Sequence, residues 1–267
     1  DPSLPEVVGP YVFLTPFGDN AQAAAAAEFA FEKFGSKVAI VADSTSEYTR
    51  MLPKYFRKSF ENLGGQVLFD ETFDGGCDLR SIAERIKGLK EQPSFIYLAG
   101  LPNCIGKTIA SIRKSDIPLP ILGGDGFDTP NLMKSGKEPT TNVWFTTHAW
   151  LSNDSENKKA KEFRADYERA YGKPPSNAFS ALGYDAANLL LEVFKRSPKI
   201  DSKSVKKTLE EIRDFQGVTG TISYSADHHV PVKTVWIIQV KDGKESLATS
   251  MIPKNVSEPL IPSVPKR

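Results

Sequence analysis

Leu119-Pro-Ile-Leu-Gly-Gly-Asp-Gly-Phe127 is the stretch on which the reading of this chain turns. Its apolar start predicts a short buried strand, and the glycines behind it let the backbone turn sharply at the strand's carboxyl edge. In an open α/β sheet that edge faces the crevice where ligands sit. Asp125 therefore stands where a carboxylate meets a cationic group such as a ligand ammonium, flanked by Gly124, Gly126 and the aromatic Phe127. A second reading stays open on these residues alone: Asp125 caps the turn or helix that follows, as aspartate commonly does.

Upstream, the same grammar repeats. Lys37-Val-Ala-Ile-Val-Ala42, Gln66-Val-Leu-Phe69 and Ser94-Phe-Ile-Tyr-Leu-Ala99 predict strands, each followed by a helix. The first of these helices spans roughly 48–63 and ends at Gly64-Gly65, with glycine in the left-handed position. The next places Leu79, Ile82, Ala83, Ile86 and Leu89 on one face, and the third carries Ile105, Ile109 and Ile112. Ahead of them lie an extended entry over Asp1 to Pro10, a short strand Tyr11-Val-Phe-Leu14, and an alanine-rich helix to Phe34 that Asp19 caps. Short strands alternating with amphipathic helices predict a parallel, doubly wound α/β sheet covered on both faces.

Downstream the pattern changes. After a strand at Asn142-Val-Trp-Phe-Thr-Thr147 come three successive helices near 155–171, 177–196 and 202–214. A β segment Thr221-Ile-Ser-Tyr224, a strand Val232 to Val240 and a hairpin turn at Asp242-Gly243 follow, then a Pro- and Ser-rich extended tail after Ile252. A βα sheet beside a second, helix-rich body predicts two lobes with a crevice between them.

Composition narrows the function classes. With 34 Lys+Arg against 33 Asp+Glu in 267 residues, charge gives no support to a nucleic-acid surface. Lysine clusters at 158–161 and 203–207 are interleaved with acids and read as solvated helix faces. No apolar run reaches the length of a membrane span, and Asp1-Pro-Ser-Leu-Pro5 lacks the basic start and apolar middle of a signal peptide. His148 falls at a strand end; His228-His229 has no further ligand at recognisable spacing, so no metal site is expected. Cys77 and Cys104 each precede or begin a helix, and small buried hydrophobe is their default role. A disulfide stays open as the alternative, because both follow neighbouring strands at one sheet edge. The dinucleotide pattern needs glycine where Thr129 stands, no phosphate-loop or GxSxG motif occurs, and no cofactor is expected.

What remains are groups at strand carboxyl edges: Tyr48, Leu101 to Asn103, and Asp125 with Phe127. One carboxylate, an amide and apolar or aromatic walls suit a small amine with an apolar side chain. On these residues alone, Tyr48 as a packing residue at a helix start and Asn103 as a cap remain alternatives.

Taken in order, Asp1-Pro-Ser-Leu-Pro-Glu-Val-Val-Gly9, Thr15-Pro-Phe-Gly-Asp19, Lys37-Val-Ala-Ile-Val41, Asp43 through Tyr48, Leu122-Gly-Gly-Asp-Gly-Phe127 and Ala181-Leu-Gly-Tyr-Asp-Ala186 resemble the branched-chain amino-acid binding proteins of ABC transporters. These are type I periplasmic solute receptors, and the likeness covers essentially the whole chain. It implies a two-lobed α/β fold joined by three crossings that closes on its ligand like a hinged clamp. Residues 1–16 and 149–228 would form what is present of an incomplete N-terminal lobe. Residues 17–148 and 229–252 would form the C-terminal lobe, and 253–267 a tail. The crossings would fall at Thr15 to Gly18, Phe145 to His148 and Asp227 to Pro231.

The resemblance implies that Asp125 pairs with the ligand's α-ammonium and that Tyr48 lines the site, with Phe17, Phe127 and Tyr184 as further lining. Aspartate here is shorter than the glutamate often found at that position. The implied function is an extracytoplasmic receptor, periplasmic or lipid-anchored, that delivers an amino acid or related small amine or carboxylate to a membrane permease. A ligand-sensing domain of a signalling or regulatory protein is the alternative; an enzyme reading needs a general base in the crevice, where candidates are few and Asp125 is better explained as an ammonium partner. The family's chain normally begins with a strand and helices, about its first third, that precede the position of Asp1. They include the groups that hold the ligand carboxylate. The resemblance therefore implies weak or no binding by this chain alone, and apolar surface that the missing N-terminal segment covers.

Overall fold

The structure, a computed structural model, describes residues 1–261. One sheet organises it. Its strands are β1 (Lys37–Asp43), β2 (Gln66–Phe73), β3 (Phe95–Ala99), β4 (Ile121–Gly123), β5 (Val143–Thr147), β8 (Val235–Lys241) and β9 (Lys244–Met251). They lie in the order β2-β1-β3-β4-β5-β8-β9. The first five are mutually parallel, while β8 runs antiparallel to β5 and β9 antiparallel to β8.

The strand side chains alternate between two cores, as a period of two requires. Ala39, Val41, Ile96, Leu98, Ile121, Val143 and Phe145 pack against helices α4 (Arg80–Lys87) and α5 (Ile105–Arg113). Val38, Ile40, Phe95, Tyr97, Leu122 and Trp144 meet α2 (Asp19–Lys33) and α3 (Glu47–Asn62) on the other face. Burial on both faces is why these strands read as nearly unbroken apolar runs. Ala23 through Ala27 in α2 are all fully buried, and their small side chains let that helix lie close to the sheet. Cys77 and Cys104 form a disulfide with a Cα separation of 5.7 Å, so their default role as isolated hydrophobes is replaced by the covalent alternative. It ties the loop after β2 to the start of α5.

A smaller body is built from α6 (Lys158–Tyr171), α7 (Phe179–Arg196), α8 (Ser202–Glu210) and a two-stranded ribbon, β6 (Phe215–Gly217) with β7 (Gly220–Ile222). Leu189, Val193, Leu209, Ile212, Ile222 and Tyr224 form one of its cores; Ala160, Phe163, Ala181 and Val218 form another.

Several expectations are corrected. Asp1 to Pro10 is not wholly extended, because α1 (Leu4–Val8) forms there with proline in its first turn, where the missing N–H costs nothing. Tyr11 to Leu14 is no strand. Its backbone bonds go singly to a turn and to side chains: Leu14 N donates to the His229 carbonyl at 2.9 Å and the Tyr224 hydroxyl to the Leu14 carbonyl at 2.8 Å. Asp19 is the first residue of α2 rather than its cap, a position held by Gly18. The helix expected from 155 starts at Lys158, where the Asn157 side chain accepts from the amides of Lys159 and Ala160. The helix expected to reach 214 stops at Glu210, and β6 follows. The strand expected from Val232 begins at Val235. Residues 252–261 have no regular structure, but the Leu260 amide donates to the Tyr55 hydroxyl at 2.8 Å; the expected tail's residues 262–267 lie outside the described residues.

Candidate functional site

β4 ends at Gly123, and Asp125–Phe127 forms a single 3-10 turn at the carboxyl edge of the sheet. Glycine is needed here for crowding rather than for an unusual turn. Gly124 has φ −88°, an ordinary value. A Cβ on Gly124 would overlap the Tyr48 hydroxyl, Gln22 Oε1 and Leu52, and one on Gly126 would meet the Gly100 carbonyl at the end of the neighbouring strand. The glycines let α2, α3 and two strand ends converge on Asp125.

Asp125 is 8% exposed. Its amide donates to Gln22 Oε1 at 2.7 Å, and the Thr146 hydroxyl donates to the same oxygen at 2.8 Å. The Gly126 amide donates to the Tyr48 hydroxyl at 3.2 Å. Asp125 Oδ2 lies 3.0 Å from Nε2 of His148, which follows β5 and stacks on Phe17 with centroids 3.9 Å apart. Burial pushes the Asp125 carboxyl up, but the His148 imidazole, Tyr48 and Gln22 outweigh it and hold the group below the usual carboxylate range. Burial, reinforced by the Asp125 charge, raises the Tyr48 phenol well above its ordinary value. Asp19 and Asp128 are also raised by burial. The arrangement is a buried anion at a sheet edge, walled by Phe17 and Tyr48.

The expected site residues do not all converge. Tyr48 and Phe17 stand beside Asp125 or its partner His148. Leu101, half-buried, and Asn103, exposed, are on the loop after β3, which the Gly100–Gly126 approach brings next to the turn. Phe127 is fully buried in the core with Val41, Leu98 and Phe145, and its ring packs under Gly123. Tyr184 lies elsewhere: it is 48% exposed on α7, its ring 5.1 Å from Phe163, beside a surface groove shared with Lys159 and Glu162. Sequence reasoning missed Gln22 and His148. His148 had a usable signal, being a titratable residue directly beyond a strand's carboxyl end; Gln22 had none, standing in a run of alanines.

A largely parallel sheet with a buried carboxylate at its carboxyl edge stands beside a second, helical body. The chain belongs to the periplasmic binding protein family, whose sequence profile matches residues 2–245. The fold is that of the type I periplasmic binding proteins. Among solved structures, a leucine binding protein, LivK, from Thermotoga maritima is 30% identical with a TM-score of 0.85, covering 95% of this chain and 71% of that one. The branched-chain amino acid transporter substrate binding protein LivJ from Streptococcus pneumoniae, solved in complex with isoleucine, is also 30% identical, with a TM-score of 0.80 and coverage of 92% and 68%. A leucine-, isoleucine-, valine-, threonine- and alanine-binding protein from Pseudomonas aeruginosa is 20% identical over 80% of this chain. This chain spans 56% of that relative's length. These relatives are described as binding proteins for amino acids.

Proposed function

We propose that the chain is the larger part of an extracytoplasmic receptor that binds an amino acid for ABC-type uptake, with Asp125 as the partner of the ligand ammonium. The observation that carries this reading is the near-buried Asp125 carboxylate, held ionised at the carboxyl edge of β4 between Tyr48 and His148. A buried anion recognises a cationic nitrogen through a charge-assisted hydrogen bond. Asp125 is one methylene shorter than glutamate, so an ammonium must approach the sheet edge closely to reach it.

Two lines of support come from elsewhere. Receptors of the same family at 30% identity include one described as leucine binding and one solved with isoleucine. The Cys77–Cys104 disulfide suits an oxidising, extracytoplasmic compartment. The reading includes a permease partner in the membrane. It assigns 17–148 with 229–252 to one lobe and 1–16 with 149–228 to the other, which a further segment completes.

The test is a screen of the standard amino acids at tens of millimolar by amide NMR shifts, on this chain and on Asp125→Asn. Amine ligands should move the amides of residues 124–126 in the wild type and not in the variant. Equal shifts in both proteins would remove Asp125 from the site.

A further inference from the structure

In the reading above His148 only helps to hold Asp125 ionised, yet it is the nearest partner of the proposed ammonium anchor. Its side chain is buried at 3% exposure, and Nε2 stands on Asp125 Oδ2 at 3.0 Å. The other ring nitrogen, Nδ1, is buried with no hydrogen-bond partner among the described residues. Among the described residues, only the Asp125 contact and ring packing hold the imidazole: stacking on Phe17 at 3.9 Å and an edge contact with Phe179 at 5.9 Å. A ring with a single polar tether can leave it without breaking a second bond. The charged groups that face it are carboxylates: Asp125 at contact, Asp19 from α2 and Asp128 beyond the turn. Tyr48 from α3 is kept neutral by burial, and the first crossing and α7 contribute only rings.

We propose that His148 makes ligand binding proton-coupled, its Nε2 and a ligand ammonium competing for the same Asp125 oxygen. The proposal rests on the ammonium reading of Asp125. Imidazoles titrate between roughly pH 5 and 8. When His148 is protonated, the site already holds a cation on its carboxylate, and an incoming ammonium must displace it among like charges. When His148 is neutral, the carboxylate keeps its charge for the ligand. Amine affinity therefore falls as pH falls, and binding at intermediate pH releases a proton to solvent. His148 acts as a specificity residue that favours amine ligands at neutral pH and rejects them in acid.

The experiment is a leucine titration followed by NMR at about pH 5.5 and about pH 8, on the wild type, His148→Gln and His148→Asn. Wild-type affinity should weaken at least about tenfold at the lower pH, and in either variant by less than about twofold. The variants should also bind more tightly than the wild type at the lower pH. A variant that keeps the wild-type pH ratio, or binds more weakly at both values, overturns the proposal by making His148 only a structural support. Calorimetry of the wild type in buffers of differing ionisation enthalpy needs no variant. Release of a substantial fraction of a proton per leucine at about pH 6.5 supports the competition, and none overturns it. Leucine binding with unchanged affinity at both pH values defeats the proposal alone. No shifts from leucine or any other amino acid at tens of millimolar, at either pH, defeat the ammonium reading of Asp125 together with it.

Discussion

Lys233 is a buried cation with little to balance it. It is 2% exposed, and its ammonium donates to the Thr15 carbonyl at 3.1 Å and to the Thr219 hydroxyl. Asp185 is near, but its carboxylate is already taken by the Val218 and Thr219 amides and the Thr219 hydroxyl. Loss of hydration therefore dominates and lowers the Lys233 pKa to about 8. Because the folded chain releases this proton before the unfolded chain does, stability should rise between about pH 8 and pH 10.5, by roughly 3 kcal/mol from this group. Urea midpoints across that range should climb in the wild type and stay flatter in Lys233→Met. A matching slope in both proteins would assign the rise elsewhere. At the sheet edge, Gly124→Ala forces a Cβ into the half-buried Tyr48 hydroxyl and the fully buried Gln22. We expect a loss of about 1–3 kcal/mol in denaturant melts, the usual cost of overpacking.

Between elements, the disulfide is the one covalent tie. It joins cysteines 27 residues apart and closes the loop that carries α4 and β3. Replacing both with serine should cost about 2–4 kcal/mol, read as a lower urea midpoint; reducing agent should lower the wild-type midpoint similarly and leave the double variant unchanged. The strands and helices of the sheet were legible in the sequence because burial on both faces leaves apolar runs, and one-sided helices leave a period near 3.6. The connectors were not. β6 spans only Phe215–Gly217, too short to show a period, and its place is fixed by Asp185, whose carboxylate a Cβ on Gly217 would strike. Tyr11 to Leu14 has the composition of a strand, but the chain offers it a turn for a partner, so no ladder forms. The site was half legible. Asp125 and Tyr48 follow from their positions after strands, whereas Phe127 has the composition of a site wall and fills the core instead. His148 and Gln22 reach Asp125 only through tertiary packing, from 23 and 103 residues away.

Over the whole molecule the two bodies differ in how well they are covered. The sheet is sandwiched between helices on both faces, but α7 is apolar on two sides. Its inner side buries Ala181, Leu182, Leu189 and Val193, while Phe179, Leu190, Leu191 and Phe194 are exposed along the opposite side. Those four fall within about a third of the helix circumference at its natural period. The stripe begins at Phe179, whose ring also touches His148, so the uncovered face adjoins the proposed ligand anchor. An amphipathic helix shows polar residues where it meets water, and a contiguous apolar strip marks a contact surface. The T. maritima and S. pneumoniae receptors are longer than the part this chain covers, by nearly a third of their length. We therefore expect this stripe to be a contact surface. With the stripe uncovered, the chain should bind a hydrophobic dye and self-associate with rising concentration. The double variant Leu191→Lys, Phe194→Lys should abolish both behaviours while changing stability by less than about 1 kcal/mol, because neither side chain is buried. Dye fluorescence and sedimentation measure the first effect, denaturant melts the second. A large loss of stability would show that the stripe already packs within this chain, and unchanged dye binding would move the exposed surface elsewhere.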